Sequence, residues 1–177
     1  VRKTRQDWVD AGLSLLREEG QQALTIERLT VDLGVSKGSF YHHFGGLPGY
    51  RQALLETWET ELTLRPMEEA ARESNPTDRR RKLGQAVRKL DNRLDLAVRA
   101  WGLRDPFVAD FVARVDERRL SYLTELQAGL GRARPEFLAT LEYAAFIGLQ
   151  HLRLKERSSL YEQALQKALG LLAEPQD

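Results

Sequence analysis

Residues 24–44 read LTIERLTVDLGVSKGSFYHHF, and this segment decides the fold. The hydroxyl of Thr25 can cap a short helix by accepting from its first free backbone amides. Residues 34–36, Gly-Val-Ser, suit a tight turn, and Ser36 can cap a second short helix over 37–44. Two short helices joined by a three-residue turn that contains glycine are typical of a helix-turn-helix, so the segment predicts that motif.

On a helix, residues 37–44 separate into two faces. Phe40 and Phe44 lie on one face, where they can anchor the helix in a small core. Lys37 and Tyr41 lie on the opposite face. That face offers a cation to phosphates, and a hydroxyl and an aromatic ring to base edges or thymine methyl groups. A surface helix that merely carries polar residues is the alternative, and the face alone leaves both open.

The whole segment resembles the N-terminal module of the tetracycline-repressor (TetR) family, in which a threonine opens helix two and Gly-Val-Ser makes the turn. The family's next run, Lys-Gly-small-aromatic-Tyr-x-His-Phe, is matched by residues 37–44. The resemblance begins in helix one, at residues 8–20, and weakens after about residue 55. It implies an all-α fold, with a three-helix helix-turn-helix DNA-binding domain at 1–46 and a larger helical ligand-binding and dimerisation domain at 47–177.

The resemblance also implies which residues reach operator DNA. Those expected at phosphates are Thr25, Ser36, Lys37, Tyr41 and His43, and those expected nearest the bases are Gly38, Ser39 and His42. Two positions depart from the family pattern. Leu47 replaces a lysine that contacts phosphate at the start of helix four, and Gly46 replaces a capping side chain. Cations at positions 2, 3 and 5 can compensate. An acid at Glu27 is equally favoured by the helix dipole, so we do not assign that residue to DNA.

Composition limits the possible classes of protein. With 42% hydrophobic and 30% charged residues, the chain of 177 residues has the composition of an ordinary soluble protein. It has no cysteine, which fits a reducing cytoplasm, and no run of apolar residues long enough to span a membrane. Residues 1–64 hold seven Lys or Arg and nine Asp or Glu, a net charge of −2. Binding to double-stranded DNA must therefore depend on a few well-placed residues.

The rest of the chain predicts helices and no strand. Apolar spacing places them at 5–19, 48–64, 66–74, 78–104 (with a break near Asn92 or Gly102), 107–128, 136–154 and 159–173. The last two helices carry small residues four apart, which allow close helix approach. Packing within the chain is one reading, and the family resemblance favours a homodimer interface, which a reader of palindromic DNA needs. The residues assigned to it are Leu141, Ala144, Ala145, Gly148, Leu152, Leu165, Ala168 and Leu172.

Large aromatic side chains in the body are candidates for a ligand cavity. They are Trp58, Trp101, Phe107, Phe111 and Tyr122. A largely apolar cavity between helix four and the 94–128 helices would take a small apolar or amphipathic ligand. Rings at helical spacing that only fill the core are the alternative.

Catalysis finds little support in the sequence. His42 and His43 are adjacent, about 100° apart on a helix, and cannot chelate one metal together. No nucleophile elbow, phosphate loop or zinc-protease motif is present, so we expect no enzyme activity, catalytic residue, metal or cofactor. The predicted function is a cytoplasmic, ligand-responsive transcriptional regulator, a repressor that binds a palindromic operator as a dimer. The alternative is a helical small-molecule-binding or interaction module that keeps the fold without binding an operator.

Overall fold

The computed structural model describes residues 3–152 and 158–172, and these residues form helices and no strand. The predicted all-α fold is confirmed. The α-helices are α1 (Arg5–Glu19), α2 (Ile26–Leu33), α3 (Lys37–Phe44), α4 (Leu47–Glu59), α5 (Arg65–Ala71), α6 (Pro76–Arg88), α7 (Asn92–Gly102), α8 (Pro106–Gly129), α9 (Pro135–His151) and α10 (Ser158–Leu172).

The chain forms two compact units. The first contains the residues up to Arg65 together with Asp91–Ala113, and the second contains Pro66–Leu90 together with the residues from Arg114 onward. The domain boundary predicted after residue 46 lies within the first unit and stays a prediction. In that unit, Tyr50 of α4 packs in the same core as residues of α1 and α3.

Local signals explain α1 to α3. Thr4 and Asp7 form a capping box at the start of α1, and Thr25 caps α2 by accepting from the backbone N–H of Arg28 at 3.2 Å. Gly34 ends α2 in the left-handed conformation, which a residue without Cβ adopts at little cost. The turn into α3 therefore has the geometry that the sequence predicts.

A π-helical turn, Thr60–Leu64, joins α4 to α5. Pro66 follows it, and a proline inside a helix lacks an N–H and crowds the carbonyl four residues earlier. A wider turn relieves that crowding, which explains its position. The break predicted near Asn92 or Gly102 occurs before Asn92, where Asp91 caps α7 by accepting from the N–H of Arg93 at 3.1 Å.

The second unit combines two apolar clusters with buried polar groups. One cluster centres on Ala70, Leu83 and Leu126, and the other on Leu138 and Leu169. Glu142 of α9, 9% exposed, accepts from Gln127 at 2.9 Å and pairs with Arg80 at 2.5 Å. Burial raises the pKa of Glu142, although Arg80 and Gln127 act against this rise.

Candidate nucleic-acid interface

Helix α3 is anchored by aromatic packing. Phe40 is fully buried, and Phe44 is 9% exposed. Their rings lie 5.2 Å and 4.8 Å from the ring of Tyr50 on α4, and Phe40 lies 5.4 Å from Trp8 on α1. The hydroxyl of Tyr50 donates to the carbonyl of Trp8 at 2.7 Å. This cluster fixes which face of α3 points inward, and that face is the one predicted from the spacing.

The opposite face of α3 is open to solvent. Ser36, just before the helix, is also exposed and has the extended backbone of an N-cap residue, but its hydroxyl makes no capping hydrogen bond. The expectation that this side chain caps α3 is therefore wrong, and its oxygen does not occupy the amides of the first turn. Ser39 is partly buried. The exposed residues of α3 that were assigned to DNA are Lys37, Gly38, Tyr41 and His42.

Two cations of this module are bound by carboxylates. The ammonium of Lys37 donates to Oε1 of Glu27 on α2, although both side chains are largely exposed. This hydrogen bond raises the pKa of Lys37 and lowers that of Glu27. Arg28 is held by Glu19 at 2.8 Å and by Asp32 at 2.9 Å. The sequence analysis did not predict the pair of Lys37 with Glu27. The only feature of the sequence that points to it is an acid in the first turn of α2.

His43 is turned toward the N-terminal segment. Its Nε2 lies 3.2 Å from the carbonyl of Lys3, a distance at which the ring N–H donates. The guanidinium of Arg5 lies 5.3 Å from the ring centroid of Phe44. The end of α3 therefore holds the backbone of Lys3 and the guanidinium of Arg5 close to the helix-turn-helix. The phosphate contact expected for His43 stays a prediction.

The start of α4 presses directly on the end of α3. A Cβ added to Gly49 would lie 2.2 Å from the carbonyl oxygen of Phe44, so only glycine permits this approach. Gly46 supplies no capping side chain, as the sequence predicts, and Leu47 is 48% exposed. Helices α3 and α4 are therefore in direct backbone contact at Gly49, beside the aromatic packing of Tyr50 on Phe40 and Phe44.

Polar contacts tie α4 to later helices of the first unit. Arg51 donates to Oδ2 of Asp105 at 2.6 Å and lies over the ring of Phe107, 4.2 Å from its centroid. Trp58 donates from Nε1 to Asp95 of α7 at 3.2 Å. Asp95 is 1% exposed and also accepts from Arg99 at 2.8 Å.

The five aromatic residues predicted to bind a ligand do not share one surface. Trp58, Trp101 and Phe111 are core side chains of the first unit, exposed by 0%, 7% and 4%. Phe107 is 38% exposed beneath Arg51. Tyr122 belongs to the second unit and lines a groove of about 430 Å³. That groove is not the apolar cavity expected, because charged side chains of α8 share it. Its other lining residues are Met67, Arg114, Glu117, Arg118, Ser121 and Glu125.

The residues predicted for the dimer interface divide into two sets. Leu141, Leu165 and Leu172 pack against the Leu138 and Leu169 cluster, inside the α9–α10 pair. The others lie on or beside an exposed face, where α9 and α10 enclose an apolar groove of about 430 Å³. Those at the groove or exposed are Ala144, Ala145, Gly148, Leu152 and Ala168. Internal packing and an outward surface therefore apply largely to different residues, and Leu165, which packs on the cluster and also lines the groove, takes part in both.

Comparison with known proteins agrees with this geometry. Residues 9–46 match the family model for bacterial regulatory proteins of the tetR family. A transcriptional regulator from Rhodococcus sp. Rha1 has the same fold (TM-score 0.76, 21% identity, 96% of each chain covered). So do the multidrug binding protein EbrR complexed with imidazole (TM-score 0.65, 22% identity, 97% of this chain and 90% of that one) and the ketosteroid transcriptional regulator KstR2 of Mycobacterium tuberculosis (TM-score 0.63, 14% identity, 99% and 97%). No curated protein matches the chain significantly.

An anchored short helix with an open polar face, preceded by a capped helix and a glycine turn, defines a helix-turn-helix DNA-binding regulator. The module at residues 9–46 is similar to that of bacterial regulatory proteins of the tetR family. Among the described residues, no helix has both the length and the apolar character needed to cross a membrane.

Proposed function

We propose that this chain binds a palindromic operator as a homodimer and represses transcription until a small ligand releases it. The observation that carries the proposal is the outward polar face of α3, held in place by Phe40 and Phe44 against Trp8 and Tyr50. A recognition helix needs such support, because its side chains can read base edges only when its backbone is held in place.

The DNA contacts follow from position on that module. Ser36, Tyr41 and Thr25 carry exposed hydroxyls suited to phosphate oxygens, and the first turn of α3 offers backbone amides to an anion. Gly38 would let the DNA approach closely, and we assign the exposed His42 and the partly buried Ser39 to the bases. These assignments rest on exposure and on the family resemblance together.

Dimerisation through α9 and α10 is supported by the apolar groove between them. Leu152 is 57% exposed, Leu160 61% and Leu171 66%, and a monomer would leave these side chains in water. Pairing with the same face of a second copy would cover them and create a two-fold axis. Two recognition helices would then meet adjacent major grooves, about 34–36 Å apart.

Ligand release is supported by the way α4 is held. One end of α4 contacts α3 at Gly49, and further along Arg51 and Trp58 bond to Asp105 and Asp95. A small amphipathic or aromatic ligand that separated the rings around Trp58 would shift α4, and α3 with it. Such a ligand releases DNA only through its higher affinity for the shifted state.

The test is selection of duplexes from a random-sequence library, followed by fluorescence anisotropy at several salt concentrations. We expect an enriched palindrome bound by a dimer, with an affinity about a thousandfold or more above that for unrelated DNA. Equal, weak binding to all duplexes would contradict operator recognition. It would favour the helical small-molecule-binding or interaction module, to which the net charge of −2 over residues 1–64 gives some support.

A further inference from the structure

The contact between Lys37 and Glu27 joins the first turns of α3 and α2. Lys37 is 57% exposed and Glu27 is 68% exposed, so the pair lies on the surface that faces DNA in the proposed function. It places a hydrogen-bond donor and a hydrogen-bond acceptor in direct contact. The stability of the fold does not account for this pair, because an exposed ion pair adds little stability.

A phosphate is a poor target for this pair. Lys37 alone would suit a phosphate oxygen, but its partner carboxylate would then face a like charge at close range. The edges of base pairs differ, because they present amino groups that a carboxylate can accept from. The partner of Lys37 therefore favours bases over the DNA backbone.

Among base pairs, G·C fits best. Guanine presents the acceptors O6 and N7 in the major groove, and cytosine presents the donor N4 amino group beside O6. An ammonium with three N–H donors can bond O6 and N7, while the carboxylate accepts from N4. An A·T pair offers a donor and an acceptor too, but the thymine methyl group stands beside the acceptor O4.

We propose that Glu27 and Lys37 together read one G·C base pair in each half of the operator. The inference rests on the operator binding proposed above, and it replaces the phosphate contact expected for Lys37 from the family resemblance. Glu27 then becomes a residue that determines sequence specificity.

The experiment compares wild type, Glu27→Ala, Lys37→Ala and the isosteric Glu27→Gln by library selection and by anisotropy on the wild-type operator. Glu18→Ala is the matched control, because it removes the same charge from the same module at a carboxylate that pairs with Arg17. All of these side chains are at least half exposed, so folding should be retained. We expect both alanine variants to reduce discrimination at the same G·C pair about tenfold and to leave other positions unchanged. Omitting the 4-amino group of that cytosine should weaken wild type but not Glu27→Ala.

Three results would overturn the inference while leaving operator binding intact. Glu27→Ala and Glu27→Gln could raise the affinity for every sequence equally, which would make Glu27 a simple repeller of DNA. Lys37→Ala could lower the salt slope by about one on all duplexes, which indicates a phosphate contact. The two alanine variants could also relax different base pairs. If wild type enriches no sequence, the proposed function itself fails, and the inference fails with it.

Discussion

Replacing Gly49 by alanine should loosen the junction between the recognition helix and α4. The added Cβ would lie 2.2 Å from the carbonyl oxygen of Phe44 and 3.3 Å from its carbonyl carbon. The shorter distance is about 1 Å less than an ordinary contact. Both atoms belong to the backbone, so no side chain can rotate away and the helices must separate.

The expected cost is that of overpacking a close contact, about 1–3 kcal/mol, partly offset by up to about 1 kcal/mol because alanine favours helix over glycine. For a chain of this size, each kcal/mol lowers the melting temperature by about 2–4 °C. The displaced end of α3 should also weaken operator binding, measured by anisotropy well below the melting temperature.

Gly84→Ala in α6 is the matched control. Its Cβ would have only the flexible guanidinium end of Arg88 nearby, at 3.6 Å, so this variant should be as stable as wild type or slightly more stable. If Gly49→Ala melts and binds DNA like Gly84→Ala, the backbone contact between α3 and α4 does not control the position of the recognition helix.

Three further predictions concern the rest of the molecule. Gly148→Leu should fold normally, because a Cβ at this position meets no atom within 4 Å. The variant should sediment as a monomer, since the larger side chain overpacks the interface, and a dimer like that of wild type would contradict the proposed interface. Asp95→Ala should lower the free energy of unfolding by about 3–5 kcal/mol in a urea titration, because it removes a buried carboxylate shared by Trp58 and Arg99. A loss below about 1 kcal/mol would show that this carboxylate does not hold α4 and α7 together. Burial raises the pKa of Glu142, so the folded state binds its proton more tightly and this contribution to stability falls as the pH rises above the ordinary value of 4.5. Glu142→Gln should therefore become more stable relative to wild type over that range in melting curves, and a constant difference would exclude the effect.

The parts of the fold that follow local rules could be predicted from the sequence. The bounds of α2 depend on Thr25 and Gly34, and the inward face of α3 depends on the spacing of Phe40 and Phe44; each of these acts within a few residues. The turn at Thr60–Leu64 was not predicted, because a proline inside a helical pattern can end, kink or widen the helix, and spacing does not choose among these outcomes.

The candidate site was less accessible to sequence reasoning wherever it depends on contacts between helices. The bond from Lys37 to Glu27 spans ten residues and two helices, so neither residue predicts it alone. The apolar faces of α9 and α10 are wide enough to serve two surfaces at once. Spacing could not separate Leu141, which packs inward, from Ala168, which is exposed. Buried rings such as Trp58 look the same in sequence whether they fill a core or line a cavity.

The carboxylates that hold Lys37 and Arg28 affect how this regulator would search a genome. Nonspecific binding draws its strength from free cations that displace ions from the DNA, and here two of the few cations are already occupied. With a net charge of −2 over residues 1–64, we expect weak nonspecific binding to DNA. Bulk DNA would then sequester few molecules, so a small number of copies per cell could keep an operator filled.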